Sequence, residues 1–250
     1  MKLRIEKSAI VITPTVGSLT LVRAIESVKA QTYNNLKHLV VADGREYFQK
    51  VLNLPIPIDD GNRLTITSAP FNTGQGSGNT QGFYGHRIFA AYPHLVNEDY
   101  ILFLDDDNWW EPNHVQTLID LCEEKQLDFT HSLRNVFVDD KFLAEDKCEA
   151  IGRWPIAWFD GNQYLVDTSS YCFKRDWLIH ACHLWHWSWG GDRRFFMIVK
   201  DQTKYETTGL HTLNYTLPCM DKAYGGDWDI FDKGNELVKQ KYGDYPWLKN

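Results

Sequence analysis

The sequence has no long apolar run, no basic excess and no paired-cysteine spacing, and each absence removes a class of protein. The N-terminus, MKLRIEKSAIVITPT, opens with Lys and Arg, but its apolar stretch from Ala9 to Ile12 is too short for a signal-peptide core or a membrane span. A cytoplasmic chain with no transmembrane segment is therefore expected. Its five cysteines (Cys122, Cys148, Cys172, Cys182 and Cys219) are an odd number without a CxxC pair, which argues against a disulfide framework and against structural zinc. Buried free thiols are expected instead. The net charge of −7 argues against nucleic acid as a partner, because a polyanion reader normally shows a basic face or arm. A nucleotide held through a metal is still compatible with that charge.

What is present describes a folded α/β protein. Hydrophobic residues at 43% and charged residues at 24% exclude a disordered chain, and 250 residues suit one domain. AIVIT reads as a first strand, after which Ser18 stands where an N-cap would open a helix with Leu21, Ile25 and Val28 on one face. KHLVVADG gives a second strand, LTIT from Leu64 a third and YILFL a fourth, and Glu111-Pro112 opens a helix with Val115, Leu118 and Ile119 inward. This alternation implies a mostly parallel central sheet flanked by helices. Past residue 108 the texture becomes less regular and more aromatic, but no Pro/Ser-rich hinge intervenes, so two halves of one domain (1–107 and 108–250) are expected.

Polar residues collect where strands end. Thr13-Pro14-Thr15, Asp43 and Asp105-Asp106-Asp107 each follow directly on an expected strand, and open parallel sheets bind ligands beyond their carboxyl ends. Singly, such residues also terminate strands and cap helices. Three like charges side by side point to a missing cation, and Mn2+ or Mg2+ typically takes one or two carboxylates together with phosphate oxygens and water. If the strand runs on through the acids, Asp105 and Asp107 face one way and Asp106 the other. Asp107 is then the direct ligand, and Asp105 contacts the nucleotide sugar or the metal's waters.

In the second half, Asp192 follows two glycines in WSWGGDRRFFMIV and is a candidate general base. It also suits the first turn of a helix carrying Phe195, Phe196 and Ile198, where it would favour the helix dipole. Trp185, Trp187 and Trp189 alternate with smaller or polar residues, as in a core-facing strand or an aromatic wall for a sugar; Trp189 and Trp109 are the candidates for contact with an acceptor. HACHLWH lacks a second ligand pair for zinc, so its histidines read as structural. The glycine-rich TGQGSGN does not follow the first strand, as a dinucleotide fingerprint would, and reads as a loop.

AIVITPT…LVRAIESVKAQTYNNLKHLVVADG, followed by YILFLDDDNWWEPNHV, resembles the nucleotide-binding half of family 2 glycosyltransferases, which have the GT-A fold and a DxD metal motif. The resemblance implies that Thr13 and Thr15, with Pro14 between them, line a nucleotide pocket, that Asp43 accepts a hydrogen bond from the base, and that Asp105 and Asp107 are the DxD acids with Asp106 beside the nucleotide. It further implies Arg87 on the diphosphate, His211 near the metal, Asp192 as the acid of the second half, and Asp167 and Ser169 on the acceptor side. One departure is Ala42-Asp43, where many relatives carry two acids. The implied activity is inverting transfer from a nucleotide-diphospho-sugar, UDP being the commonest carrier among relatives, to a hydroxyl of a glycan or glycoconjugate. Rivals sharing the nucleotide half are a nucleotide-sugar hydrolase and a nucleotidyltransferase, and a rival of another class is a carbohydrate-binding protein with a decayed site.

Overall fold

A computed structural model of the chain describes residues 6–57, 63–74, 82–158, 161–217 and 229–248. In chain order the first half contains β1 (Ala9–Thr15), α1 (Thr20–Lys29), β2 (Leu36–Ala42), α2 (Arg45–Leu52), β3 (Leu64–Ser68), α3 (His86–Ala91) and β4 (Tyr100–Phe103). There follow β5 (Trp109–Trp110), α4 (His114–Lys125), β6 (Phe129–Val138), β7 (Lys141–Glu145), β8 (Tyr171–Lys174), α5 (Arg175–Ala181), α6 (Gly191–Val199), β9 (Tyr205–Leu217) and α7 (Ile230–Tyr242).

These strands join in one sheet ordered β3-β2-β1-β4-β8-β6-β9-β5, with β7 paired to β6. The β3-β2-β1-β4 portion is parallel, as expected. Beyond it the sheet is mixed: β8 runs antiparallel to both β4 and β6, while β6 and β9 are parallel. Because β8 is reversed, the turn that precedes it (Thr168–Ser170) lies at the edge where β1, β2 and β4 end. The sheet thereby delivers residues of its second half to the ligand edge of its first.

Strand alternation builds the two faces. Ile10 and Ile12 of β1 join Phe89, Phe103, Phe173, Trp185 and Phe195 in one core layer, whereas Ala9 and Val11 join Val28, Leu118 and Cys122 in the other. A third cluster packs Phe231 and Val238 of α7 against Leu133, Val136 and Trp247. Much of the tryptophan content is used in these layers: Trp185 is fully buried, and the Trp154 and Trp247 rings lie 4.8 Å apart. Of the two readings of Trp185–Trp189, a core-facing strand or an aromatic wall, the strand does not form. Cys182–Trp185 is a short 3-10 turn, beyond which Trp187 and Trp189 are exposed.

Helix boundaries differ from expectation for identifiable reasons. Ser18 does not cap α1, which starts at Thr20 with Leu19 in the cap position; the Ser18 side chain hydrogen-bonds Asp106 instead. Helix α2, only eight residues long, was not anticipated; of its residues only Val51 is fully buried, with Tyr47 and Phe48 packed beside it. Cys122, Cys148, Cys172 and Cys182 are buried free thiols as expected, and Cys219 lies outside the described residues, as does most of the glycine-rich loop. Among the described residues no helix is long and apolar enough to cross a membrane.

Gly234 tests the third cluster. A Gly→Ala change inside an exposed helix is worth roughly 1 kcal/mol in favour of folding, but a β-carbon at Gly234 would run into the Trp158 ring and lie 2.9 Å from Cys148 Sγ. We expect Gly234→Ala to destabilise the protein by about 1–3 kcal/mol through overpacking, read as a lower thermal unfolding midpoint; a raised midpoint would show that the ring gives way freely.

Candidate active site

The strand order places the ends of β2, β1 and β4 side by side, and a cavity of about 730 Å³ opens over them. Pro14 and Thr15 from β1, Asp43 after β2, Asp105, Asp106 and Asp107 after β4, Asp167 before β8, and Trp189 and Asp192 around the start of α6 all line it. Residues far apart in sequence thus share one open space.

The acids are not on a continuing strand. Leu104 N–H still donates to Ile12 O at 3.1 Å, after which the chain turns, closed by Asn108 N–H to Asp105 O at 3.2 Å. The expected alternation is therefore replaced by a turn that presents all three carboxylates to the cavity. Each is held differently. Ser169 Oγ accepts from Asp105 N–H at 3.0 Å and donates to its carboxylate at 3.1 Å. Asp106 accepts from Thr15 Oγ1 at 2.5 Å and from Ser18. Asp107 is tied by its backbone: its carbonyl accepts from Thr216 Oγ1 at 2.8 Å and Arg23 Nη2 at 3.2 Å.

Crowding disfavours the charged forms. Burial, then the charges of Asp107 and Asp167, pushes Asp105 well above the usual carboxylate range. Burial also raises Asp106, against the opposing hydrogen bonds of Thr15 and Ser18. Asp107 is the most open of the three, yet desolvation by the surrounding walls, then the Asp106 charge, pushes it up to about 7. Among the described residues none of the three is within ion-pair distance of a cationic side chain. The donor set consists of hard carboxylate oxygens, which suits Mn2+ or Mg2+. No described group of three or more His, Cys, Asp or Glu side chains could enclose a metal without outside ligands. The fit is to a dication that brings phosphate oxygens and water with it.

Several expected contacts fall elsewhere. Thr13 is fully buried and bonds His38 Nε2 at 2.9 Å within the sheet. Arg87 is not in the cavity lining: it lies over the Phe83 ring at 3.5 Å and donates to Thr73 O at 3.2 Å. Trp109, also outside the lining, is packed under Arg23 at 3.7 Å and against Phe137, because β5 pairs with β9 on the far side of the turn. His211 pairs with Leu133 where the β6–β9 register slips and lies among Glu145, Asp146 and Lys147, outside the cavity lining. Ser169 is buried and acts on Asp105 from beneath.

Asp43 lines the cavity while its Oδ1 accepts from Thr73 N–H at 2.7 Å and Thr73 Oγ1 at 2.6 Å. Asp192 combines its two expected roles in part: it sits in the first turn of α6, accepts from Arg193 N–H at 2.7 Å, and faces the cavity. Asp167 accepts from Ser169 N–H at 2.9 Å, and burial raises its pKa against the Arg134 charge.

Arg134, His86, Glu149 and Arg193 line the site and are among the residues that escaped sequence reasoning. Arg134, 2% exposed, binds three carboxylates at once: Asp146 at 2.7 Å, Asp167 at 2.8 Å and Glu149 at 2.5 Å. Its only sequence signal is a lone cation in the otherwise apolar or neutral run FTHSLRNVFV. His86 joins the two walls: its Nδ1 bonds Trp187 O at 2.9 Å, and a β-carbon on Gly191 would come within 2.6 Å of its ring. Only glycine lets α6 begin that close.

The same arrangement of sheet and helices occurs in solved structures. S. aureus TarS 1–349 aligns over 84% of this chain and 60% of its own length, at 12% identity and TM-score 0.58. Its complex with UDP-GlcNAc aligns over 84% and 58%, at 13% identity and TM-score 0.56. Its complex with UDP aligns over 95% and 72%, at 11% identity and TM-score 0.56. At these identities the likeness is one of fold, the GT-A fold, and the chain spans about 60% of the first of these structures. No curated protein is a significant match. The model of glycosyl transferase family 2 matches residues 8–181, more than half of the chain and the whole of β1 to β8, and the chain belongs to that family.

Proposed function

We propose that the protein is an inverting, metal-dependent glycosyltransferase that moves a sugar from a nucleotide-diphospho-sugar, with UDP the preferred carrier, to a hydroxyl of a glycan or glycoconjugate. The observation that carries this reading is that Asp43, the three-acid turn and Asp192 line one cavity. TarS complexes with UDP-GlcNAc and UDP on the same fold support the donor class. Residues 1–107 supply the nucleotide side and the rest supplies the acceptor side.

In this reading Pro14, Thr15 and Asp43 receive the nucleoside, and Asp105 and Asp107 would hold a dication against the diphosphate. When bound, the metal supplies Lewis-acid stabilisation of charge on the departing diphosphate. The protein's own groups do the rest. Ser169, Thr15 and Thr216 keep the acidic turn in place before any ligand arrives, which lowers the reorganisation needed at reaction. Asp192 takes the proton of the acceptor hydroxyl as its oxygen bonds to the anomeric carbon, and the bond from that carbon to the diphosphate oxygen breaks with its electron pair leaving on the diphosphate. Trp189, 59% exposed on the rim, offers an apolar face for a sugar ring.

Turnover of nucleotide sugar should need Mn2+ or Mg2+, and both chelation and Asp107→Asn should lower it by about two orders of magnitude or more; full activity after either would remove the metal from the reading. Asp192→Asn should abolish transfer while leaving donor affinity, measured calorimetrically, within about twofold. Unchanged turnover would exclude Asp192 as base.

The acids also predict a pH effect on the metal-free protein. Folded Asp107 keeps its proton up to about pH 7, against 3.8 for an unperturbed carboxyl. Between those values the folded state binds the extra proton, so this group's contribution makes stability fall as pH rises from about 4 to 7. Solvent screening at so open a carboxylate keeps the slope below about 1 kcal/mol per pH unit. Unfolding curves across that range should fall more steeply for the natural protein than for Asp107→Asn, and parallel curves would contradict the assignment.

A further inference from the structure

One residue on the cavity rim is at odds with its own backbone. Residues 83–86 form a tight turn, closed by His86 N–H to Phe83 O at 2.8 Å, and both central residues lie at positive φ, Tyr84 at 47° and Gly85 at 78°. Turns of this kind are dominated by Gly, Asn and Asp, because a larger side chain is strained there. Gly85 meets that demand and Tyr84 does not. The other non-glycine residues at positive φ among the described residues have ordinary uses: Gln126 closes α4, and Asp139 and Asp140 make the turn between β6 and β7. Core packing does not account for the tyrosine either, since it is 62% exposed. Bulky residues held in this conformation gather at ligand sites, where the compensating contact forms on binding.

Close glycine contacts set Tyr84 at one end of the cavity that it lines. A β-carbon on Gly85 would lie 2.8 Å from Pro14 Cβ, and one on Gly74 would lie 2.8 Å from Asp43 Oδ2. One on Gly82 would lie 3.1 Å from Gly74 O and 3.8 Å from the edge of the Tyr84 ring, and Phe83 N–H donates to the same Gly74 carbonyl at 2.8 Å. Pro14 belongs to β1 and Asp43 follows β2, its neighbour in the sheet. The turn bearing Tyr84 is therefore seated on the two residues that receive the nucleoside in the function proposed above. A flat, exposed ring at that place suits a flat heteroaromatic base, which offers a π-face to stacking and an edge to hydrogen bonding.

Resting on that function, we propose that Tyr84 binds the nucleobase of the donor by stacking, and that its strained backbone is kept for this contact.

The test measures Mn2+-supported binding by calorimetry for UDP, CDP, ADP and GDP, and for pyrophosphate, which keeps the phosphates but has no base. In the natural protein the preferred nucleotide should bind more tightly than pyrophosphate by about tenfold or more. Tyr84→Asn places a residue tolerant of positive φ in the turn, so its melting midpoint should rise by about 2–4 °C. The same variant should bind that nucleotide about tenfold or more weakly and pyrophosphate as before, whereas Tyr84→Phe, which keeps the ring, should hold nucleotide affinity within about twofold. A nucleotide that binds no better than pyrophosphate in the natural protein overturns the inference. So does unchanged nucleotide affinity in Tyr84→Asn, an equal loss for pyrophosphate, or a lowered midpoint, which would assign the tyrosine to the fold. Silence of all four nucleotides with Mn2+ would instead overturn the donor reading itself, so the two failures are told apart.

Discussion

The structure turns on the way carboxylates are crowded at the end of β4 without a cation of their own. The side chains that hydrogen-bond their carboxylates are neutral donors drawn from separate elements: Ser169 from the turn before β8, Thr15 from β1 and Ser18 from the approach to α1, while the charges of Lys50 and Arg23 act on Asp106 and Asp107 without an ion pair. Such donors orient the acids and partly favour their charged forms, but they add no positive charge. Arg134 supplies the contrast. There too several acids converge, yet a guanidinium lies among them, and Asp146 is held below its usual range by that charge and by backbone N–H groups despite complete burial. One acidic cluster has a guanidinium among its carboxylates, whereas among the described residues no cationic side chain is within ion-pair distance of the other.

The reversed strand β8 makes this arrangement possible. In a fully parallel sheet the segment entering β8 would lie at the opposite edge, and neither Asp167 nor Ser169 could approach the turn after β4. Antiparallel pairing of β8 with β4 puts both there, so a residue of the second half orients an acid of the first. Arg134, in β6, then pairs with Asp167 across the neighbouring strand. Charge balance on the second half of the cavity is thus tied by a short chain of contacts to the geometry of the acidic turn.

How much of this was legible in the sequence follows from how local each signal is. The strands of the parallel portion and the inward faces of α1 and α4 depend on periodicities within one element, and they lie close to where those patterns place them. Asp43 and the three acids were readable as strand-end residues for the same reason. Their disposition was not, because the turn after Phe103 is set by contacts with Ser169 and Thr216, far along the chain. The places of Trp109 and His211, outside the cavity lining, were not legible for the same reason: β5 and the irregular register of β9 decide where those side chains lie, and neither leaves a trace in a short window of sequence. Arg134 and His86 act through partners scattered along the chain, so they stand out only once the sheet has assembled.

His86 bridges two walls of the cavity. It begins α3, just after Gly85, yet its ring bonds the backbone of Trp187 and packs against Gly191, at the start of the helix that bears Asp192. Gly85, at φ 78°, allows the preceding backbone to press on Pro14, since a β-carbon there would lie 2.8 Å from the Pro14 ring. Two glycines and one imidazole therefore link the end of β1, the start of α3 and the start of α6. The walls carrying Pro14, His86 and Asp192 are packed against one another at close range, with no room for a larger side chain at Gly85 or Gly191.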